Sequence, residues 1–121
     1  DYPLFRSADA YLMLAECAVR DAADKTEGLN AINAVRQRAG LEALATCSLE
    51  EVLDERAREM FWECGRRTDL IRFGKFVSGY NWQWKGGVKD GTNVDEYRKL
   101  MPIPSSELNS NGNLKQNDGY K

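Results

Sequence analysis

The chain has 121 residues and a mass of 13.7 kDa, room for one ordinary domain and little more. Seventeen Lys+Arg against nineteen Asp+Glu leave a net charge of −2. Residues 1–60 hold 7 basic and 12 acidic groups against 10 and 7 in 61–121, so no basic stripe suited to nucleic acid exists. There is no His, which excludes Ser-His-Asp and Cys-His catalysis, His-containing zinc sites and carboxylate-His di-iron motifs.

Cys17, Cys47 and Cys64 are odd in number and widely spaced, so they make neither a disulfide framework nor a C-x-x-C motif; their apolar neighbours predict buried small hydrophobes. No apolar run approaches the roughly 18 residues that span a membrane, and residues 1–20 lack a signal-peptide pattern. The chain opens at Asp1 without Met, the expectation for a fragment of a longer chain.

In chain order, Asp1 to Arg6 reads as extended, because Pro3 disfavours helix before it. Ser7 is a candidate cap for a first helix whose stripe is Ala8, Tyr11, Leu12, Ala15, Val19 and Ala22. Met13, Leu14, Cys17 and Ala18 form a second apolar face, predicting burial on more than one side. After the polar turn Asp24-Lys25-Thr26, Leu29, Ile32, Val35 and Ala39 mark a second helix that stops at Gly40. The pair is one tetratricopeptide-like hairpin in length and in its small residues Ala15, Ala18, Ala31 and Ala34, with no second copy in the sequence.

Ser48-Leu49-Glu50-Glu51 has capping-box spacing. It opens a third helix predicted to run to Gly65 with Leu49, Val52, Leu53, Arg56, Ala57, Met60, Phe61 and Cys64 inward. A fourth is expected from Arg67 or Thr68 to Ser78-Gly79 around Leu70, Ile71, Phe73, Phe76 and Val77. Residues 79–121 then collect six glycines, Pro102, Pro104 and, after position 90, five asparagines, a composition of turns. Their apolar anchors, among them Trp82, Tyr97, Ile103 and Tyr120, predict an ordered irregular cap packed on the helices rather than disorder. The expected organisation is a single mainly α domain, helical over 1–78 and irregular over 79–121.

Three constellations are candidates for chemistry. Glu55, Glu59 and Glu63 lie at i, i+4, i+8 and are followed by Arg66, Arg67, Asp69 and Arg72. A metal site would need matching ligands from a second helix, and none is visible, so the reading is a structural charge lattice holding the third helix to the fourth. Tyr80, Trp82 and Trp84 stand on a loop before Lys85-Gly86-Gly87; their rings either anchor that loop or stack on the C–H faces of sugars. Gly86-Gly87-x-x-x-Gly91 lacks the Lys-Ser/Thr ending of a phosphate loop. Asn109, Asn111, Asn113, Gln116 and Asn117 read as turn formers.

Several motifs occur together and in order. They are Tyr2-Pro3-Leu4-Phe5-Arg6-x-Ala8-Asp9-x-Tyr11-Leu12-Met13-x-Ala15-Glu16, Ile32-Asn33-x-Val35-Arg36-x-Arg38-Ala39-Gly40-Leu41, Glu55-Arg56-Ala57-Arg58-Glu59-Met60 and Arg66-Arg67-x-Asp69-Leu70-Ile71-Arg72-x-Gly74-Lys75. Pro102-Ile103-Pro104, Glu107-Leu108, Asn111 and Gln116-Asn117-x-Gly119-Tyr120 close the series. Over essentially the whole chain this resembles the C-terminal part of the SusD/RagB family, with small departures at Cys64, Thr68 and Asp118.

The resemblance implies a surface-exposed outer-membrane lipoprotein of Bacteroidetes, built on tetratricopeptide-like helices, that captures a glycan or other nutrient for a TonB-dependent (SusC-like) transporter. It implies binding without catalysis, no cofactor, no metal and no nucleic acid, and membrane attachment only through a lipid anchor outside this fragment. No family ligand residue transfers securely to a position here. Tyr80, Trp82 and Trp84 are therefore the ligand-binding candidates on the strength of their own pattern. The alternative reading is a helical repeat scaffold that binds a protein partner and has no glycan role. An enzyme ranks below both, because no nucleophile–base pair can be assembled.

Overall fold

The computed structural model describes residues 5–21 and 24–120. The expected extended opening at 1–4 and the stripe's last member, Ala22, lie outside the described residues. The order is α1 (Ser7–Asp21), α2 (Thr26–Arg38), α3 (Leu49–Glu59), α4 (Arg66–Arg72) and α5 (Ser105–Ser110), with 3-10 turns at Lys85–Gly87 and Glu96–Lys99. Among the described residues there is no strand, so the fold is mainly α. The chain divides into two compact units, Asp1–Phe73 and Gly74–Lys121.

The first unit is built on the α1–α2 hairpin. Leu12 and Ala15 of α1 meet Ala31, Ile32 and Val35 of α2 and Val52 of α3 in its core. The hairpin closes tightly at Gly28, where an added Cβ would sit 2.6 Å from the Ala18 methyl. A side chain there would push the helices apart. At the end of α2, Gly40 (φ +77°) takes the left-handed geometry glycine adopts freely; its N–H reaches the Gln37 carbonyl and Leu41 N–H the Arg36 carbonyl. Two otherwise orphaned helix-end carbonyls are thereby satisfied. Asn33 then pins the α2–α3 connection, donating to the Leu44 carbonyl and accepting from Leu44 N–H. The capping box forms as read: Ser48 Oγ accepts from Glu51 N–H while the Glu51 carboxylate accepts from Ser48 N–H.

Four sequence expectations are corrected. The second face of α1 is covered only at Ala18, which packs at Gly28: Met13, Leu14 and Cys17 are exposed, because α2 and α3 pack on the Ala8–Leu12–Ala15 side. The cysteines are not buried, Cys17 and Cys64 being exposed and Cys47 half-buried, since apolar neighbours in sequence are not neighbours in space. Helix α3 ends at Glu59 rather than Gly65, where Trp62 (φ +66°) and Cys64 (φ +62°) leave helical geometry and Phe61, Trp62 and Cys64 face solvent. Helix α4 stops at Arg72, before Gly74 (φ +70°), so Phe76 and Val77 belong to the irregular second unit.

That second unit replaces strand ladders with side-chain clamps. Gln116 donates to the Ile103 carbonyl and accepts from Ile103 N–H, at 2.9 and 2.8 Å, as a paired strand would. Asn117 donates to the Met101 carbonyl and Tyr120 to the Leu100 carbonyl, while Tyr97 and Tyr120 pack edge to face at 4.8 Å. Three backbone carbonyls within residues 100–103 are held in this way.

A left-handed non-glycine residue costs about 1 kcal/mol when its side chain gains nothing in return. The exposed Cys64 therefore invites replacement: Cys64→Gly should raise stability by about 0.5–1 kcal/mol in urea unfolding. An unchanged or lowered midpoint would show that the Cys64 side chain contributes where the strain sits.

Candidate functional site

Two groups of side chains are candidates, one in each unit. In the first, α3 is a hub of charge. Glu55, only 1% exposed, accepts from Arg36 of α2 and from Arg58 of its own helix, each at 2.8 Å. Its neighbour Arg56 turns the other way and pairs with Asp9 of α1 (2.8 Å) and Asp69 of α4 (2.9 Å). One turn on, Glu59 holds Arg6 (3.0 Å) and Arg38 of α2. Glu63, past the helix end, adds a second carboxylate to Arg6 at 2.7 Å. Arg66 donates to the Leu53 carbonyl at 2.7 Å. Arg67 lies half-buried at the start of α4.

A second knot joins α1 to α4. Arg72 donates to both oxygens of Glu16 (2.9 and 3.0 Å) and to Asp69 (2.7 Å), while Arg20 donates to Glu16 at 2.9 Å. Both guanidiniums lie over the Phe73 ring, at 4.9 and 5.4 Å. Burial alone would raise the Glu16 carboxyl, but the hydrogen bonds from Arg72 and Arg20 outweigh it and hold the group below its ordinary value of 4.5. The α3–α4 link runs through Arg56–Asp69 and through Arg66 on the Leu53 carbonyl, whereas Glu55 and Glu59 reach Arg36 and Arg38 of α2 and Arg6, and Arg72 ties α4 to Glu16 of α1.

Above this lattice, a cleft of about 470 Å³ opens among Arg6, Ser7, Tyr11, Val35, Arg38 and Glu59. Two guanidiniums in its wall, Arg6 and Arg38, share the one carboxylate of Glu59, beside a half-exposed aromatic, Tyr11. Among the described residues no group of His, Cys, Asp and Glu is placed to hold a metal ion, and no helix is long and apolar enough to cross a membrane.

In the second unit, Tyr80, Trp82 and Trp84 come together on one loop. Tyr80 and Trp82 are tilted at 45° with centroids 6.2 Å apart, and Phe76 supports Trp82 at 6.2 Å. All three candidates are exposed, Trp84 most at 65%, on a left-handed residue (φ +67°) that turns its ring outward from the chain path. The loop is closed from behind: Trp84 N–H donates to the Lys89 carbonyl, Lys85 N–H to the Trp82 carbonyl and Thr92 N–H to the Lys85 carbonyl. An added Cβ at Gly91 would strike the Trp82 carbonyl, so only glycine allows the return strand to lie this close.

Sequence reasoning missed Lys85. It is 2% exposed and its Nζ donates to the Tyr80 carbonyl (2.7 Å) and Asn81 Oδ1 (3.0 Å) while lying 5.0 Å from the Trp82 ring centroid. Burial pushes its ammonium below the ordinary value of 10.5. Its position before two glycines looks like a solvated loop; nothing in the spacing signals a buried cation.

A model of the SusD family matches residues 1–120. The chain belongs to the SusD family. It is 46% identical over its whole length to the starch-binding protein SusD of Bacteroides thetaiotaomicron and 35% identical, over 98% of its length, to the SusD-like protein P25 of Formosa agariphila. The surface glycan-binding proteins A from B. thetaiotaomicron and B. uniformis superpose with TM-scores of 0.80 and 0.74 at 28% and 29% identity, over 97% and 96% of the chain. The chain spans 22% and 24% of the two sequence relatives, and 24% and 27% of the two structures.

Removing one member of a buried charge pair strands the other. Arg56→Met should therefore lower the stability of the chain by about 3 kcal/mol in urea unfolding, since Arg72 still partners Asp69. A loss below about 0.5 kcal/mol, the size typical of a surface substitution, would show that the hub does not hold the helices. Because the fold favours the Glu16 carboxylate, the unfolded chain binds the extra proton first, and stability should fall as pH drops from about 4.5 through the lower folded value. Glu16→Gln should flatten that part of a plot of urea midpoint against pH; an identical slope would place the acid sensitivity elsewhere.

Proposed function

We propose that this chain is part of a non-catalytic, SusD-like nutrient-binding protein whose ligand is a glycan, and that Tyr80, Trp82 and Trp84 are the sugar-contacting residues within it. The observation that carries the reading is an exposed, internally braced aromatic loop in a chain whose relatives are named for starch and glycan binding. Flat aromatic faces suit the C–H faces of pyranose rings, and exposure on a loop lets an extended saccharide reach them.

The proposal extends to the setting that family membership suggests: the outer face of the outer membrane, a lipid anchor, and delivery of the captured oligosaccharide to a TonB-dependent, SusC-like transporter. In it the α1–α2 hairpin is one tetratricopeptide-like unit, the charge lattice of Glu55, Glu59, Glu63, Arg66, Arg67, Asp69 and Arg72 is structural, and the two units work as a single domain. The alternative, a helical scaffold for a protein partner, draws on the exposed Tyr11, Met13 and Leu14 of α1.

Stacking on one or two rings is weak, on the order of 1 kcal/mol each beyond the area buried, so a dissociation constant on the order of millimolar is expected for a short oligosaccharide. Retardation in native gels cast with neutral polysaccharides, starch first, is the direct measurement. Trp84→Ala should reduce it about fivefold at unchanged melting temperature, and Trp82→Ala should reduce it as much while also lowering the melting temperature, because its ring packs on Phe76 and faces Lys85. Unaltered migration of the wild-type chain in every polysaccharide would overturn the assignment of ligand contact to this loop.

A further inference from the structure

The aromatic loop contains a cation that stacking on sugar does not require. We infer that Lys85 is a positioning residue for the Tyr80–Trp82 ring pair, locking the tilt of Trp82 by gripping the loop from inside. This inference rests on the reading of that loop as the sugar-contacting surface.

An ammonium has three donors and no preferred plane, so it can bind several groups that converge from different directions. Here two donors are used on the Tyr80 carbonyl and Asn81 Oδ1, and the charge faces the Trp82 ring at 5.0 Å. Three consecutive residues of the platform are thus tied to one atom. The Lys85 backbone adds two more ties, its N–H to the Trp82 carbonyl and its carbonyl to Thr92 N–H. Almost complete burial of a lysine is unfavourable unless it is compensated, and the compensation is this set of contacts. Burial also pushes the ammonium below its ordinary value, as expected of a cation held away from water.

The consequence is stereochemical. A ring attracted to a cation and braced by Phe76 cannot swing freely, so Trp82 meets a ligand already oriented. Stacking is too weak to order a loose ring and still yield affinity, which makes such preorganisation the difference between a usable surface and an unusable one.

The test uses the 121-residue chain carrying Trp62→Phe and Trp84→Phe, which leaves Trp82 as the single tryptophan. In this background Lys85→Met keeps the apolar stem and removes the charge and the donors. It should raise acrylamide quenching of Trp82 at least twofold and weaken its near-UV circular dichroism at a temperature where far-UV signal and melting show a folded chain; in the chain with all three native tryptophans, Lys85→Met should weaken neutral oligosaccharide binding about fivefold. Asn81→Ala, which removes one acceptor and leaves Lys85 in place, should move the quenching in the same direction by less. It carries the test should Lys85→Met not fold. Quenching and near-UV signal unchanged in folded Lys85→Met, or in Asn81→Ala, would overturn the inference. Should the chain with its three native tryptophans bind no oligosaccharide while quenching still responds, the glycan reading fails and the positioning role stands.

Discussion

Burial of Glu55 beside Arg56 on an eleven-residue helix is the constraint from which the helical unit follows. Helix α3 buries just two aliphatic side chains, Val52 and Leu53, too little apolar area to fix its place among three partners. Adjacent opposite charges point to different sides of the helix, so Glu55 selects Arg36 of α2 while Arg56 selects Asp9 of α1 and Asp69 of α4. Each pair is directional and each is costly to leave unmade. Alternative docking registers of α3 would strand at least one of these groups, which is how a short, charged helix acquires one position. The Glu16–Arg72 knot applies the same logic to α4, a helix of seven residues that could not hold itself together alone.

The parts of this fold that were legible in the sequence are those whose cause is local. Ser48 and Glu51 announce a helix start because their reciprocal hydrogen bonds span three residues; Gly40 announces a stop because its geometry is set by its own φ. The stripe Ala8, Leu12, Ala15 reports one buried face for the same reason. What escaped depends on distant chain. Spacing of i, i+4 puts Glu55 and Glu59 on one side of a helix but cannot name Arg36, Arg38 or Arg6 as their partners. Apolar character carried helices α3 and α4 too far, because Phe61, Phe76 and Val77 look helical in composition while Trp62, Cys64 and Gly74 turn the backbone away. The second face of α1 failed similarly: apolar residue type predicts a preference for burial, and only tertiary packing decides whether something arrives to cover it.

The C-terminal motifs show a different kind of legibility. In sequence Gln116, Asn117 and Tyr120 look like turn chemistry or family signature, and each holds a carbonyl of the 100–103 stretch. An irregular segment has no ladder to absorb its backbone groups, so particular side chains must do so one by one. A carboxamide that both donates and accepts cannot be replaced by a residue that does only one.

The aromatic loop combines these two regimes. Its rings are exposed as a binding surface requires, yet its frame is built like a core, with Lys85 buried beneath it and Gly91 pressed against the Trp82 carbonyl. A loop held only by its rings would lose conformational entropy on meeting a saccharide comparable to what one stacked ring returns. Fixing the backbone in advance through Tyr80, Asn81 and Trp82 moves that cost into folding, where hydrogen bonds and the cation–π contact offset it. If the loop is the glycan surface proposed above, its exposed face is free to be weak and general, since contacts of that kind repeated along an extended, repetitive polysaccharide are sufficient.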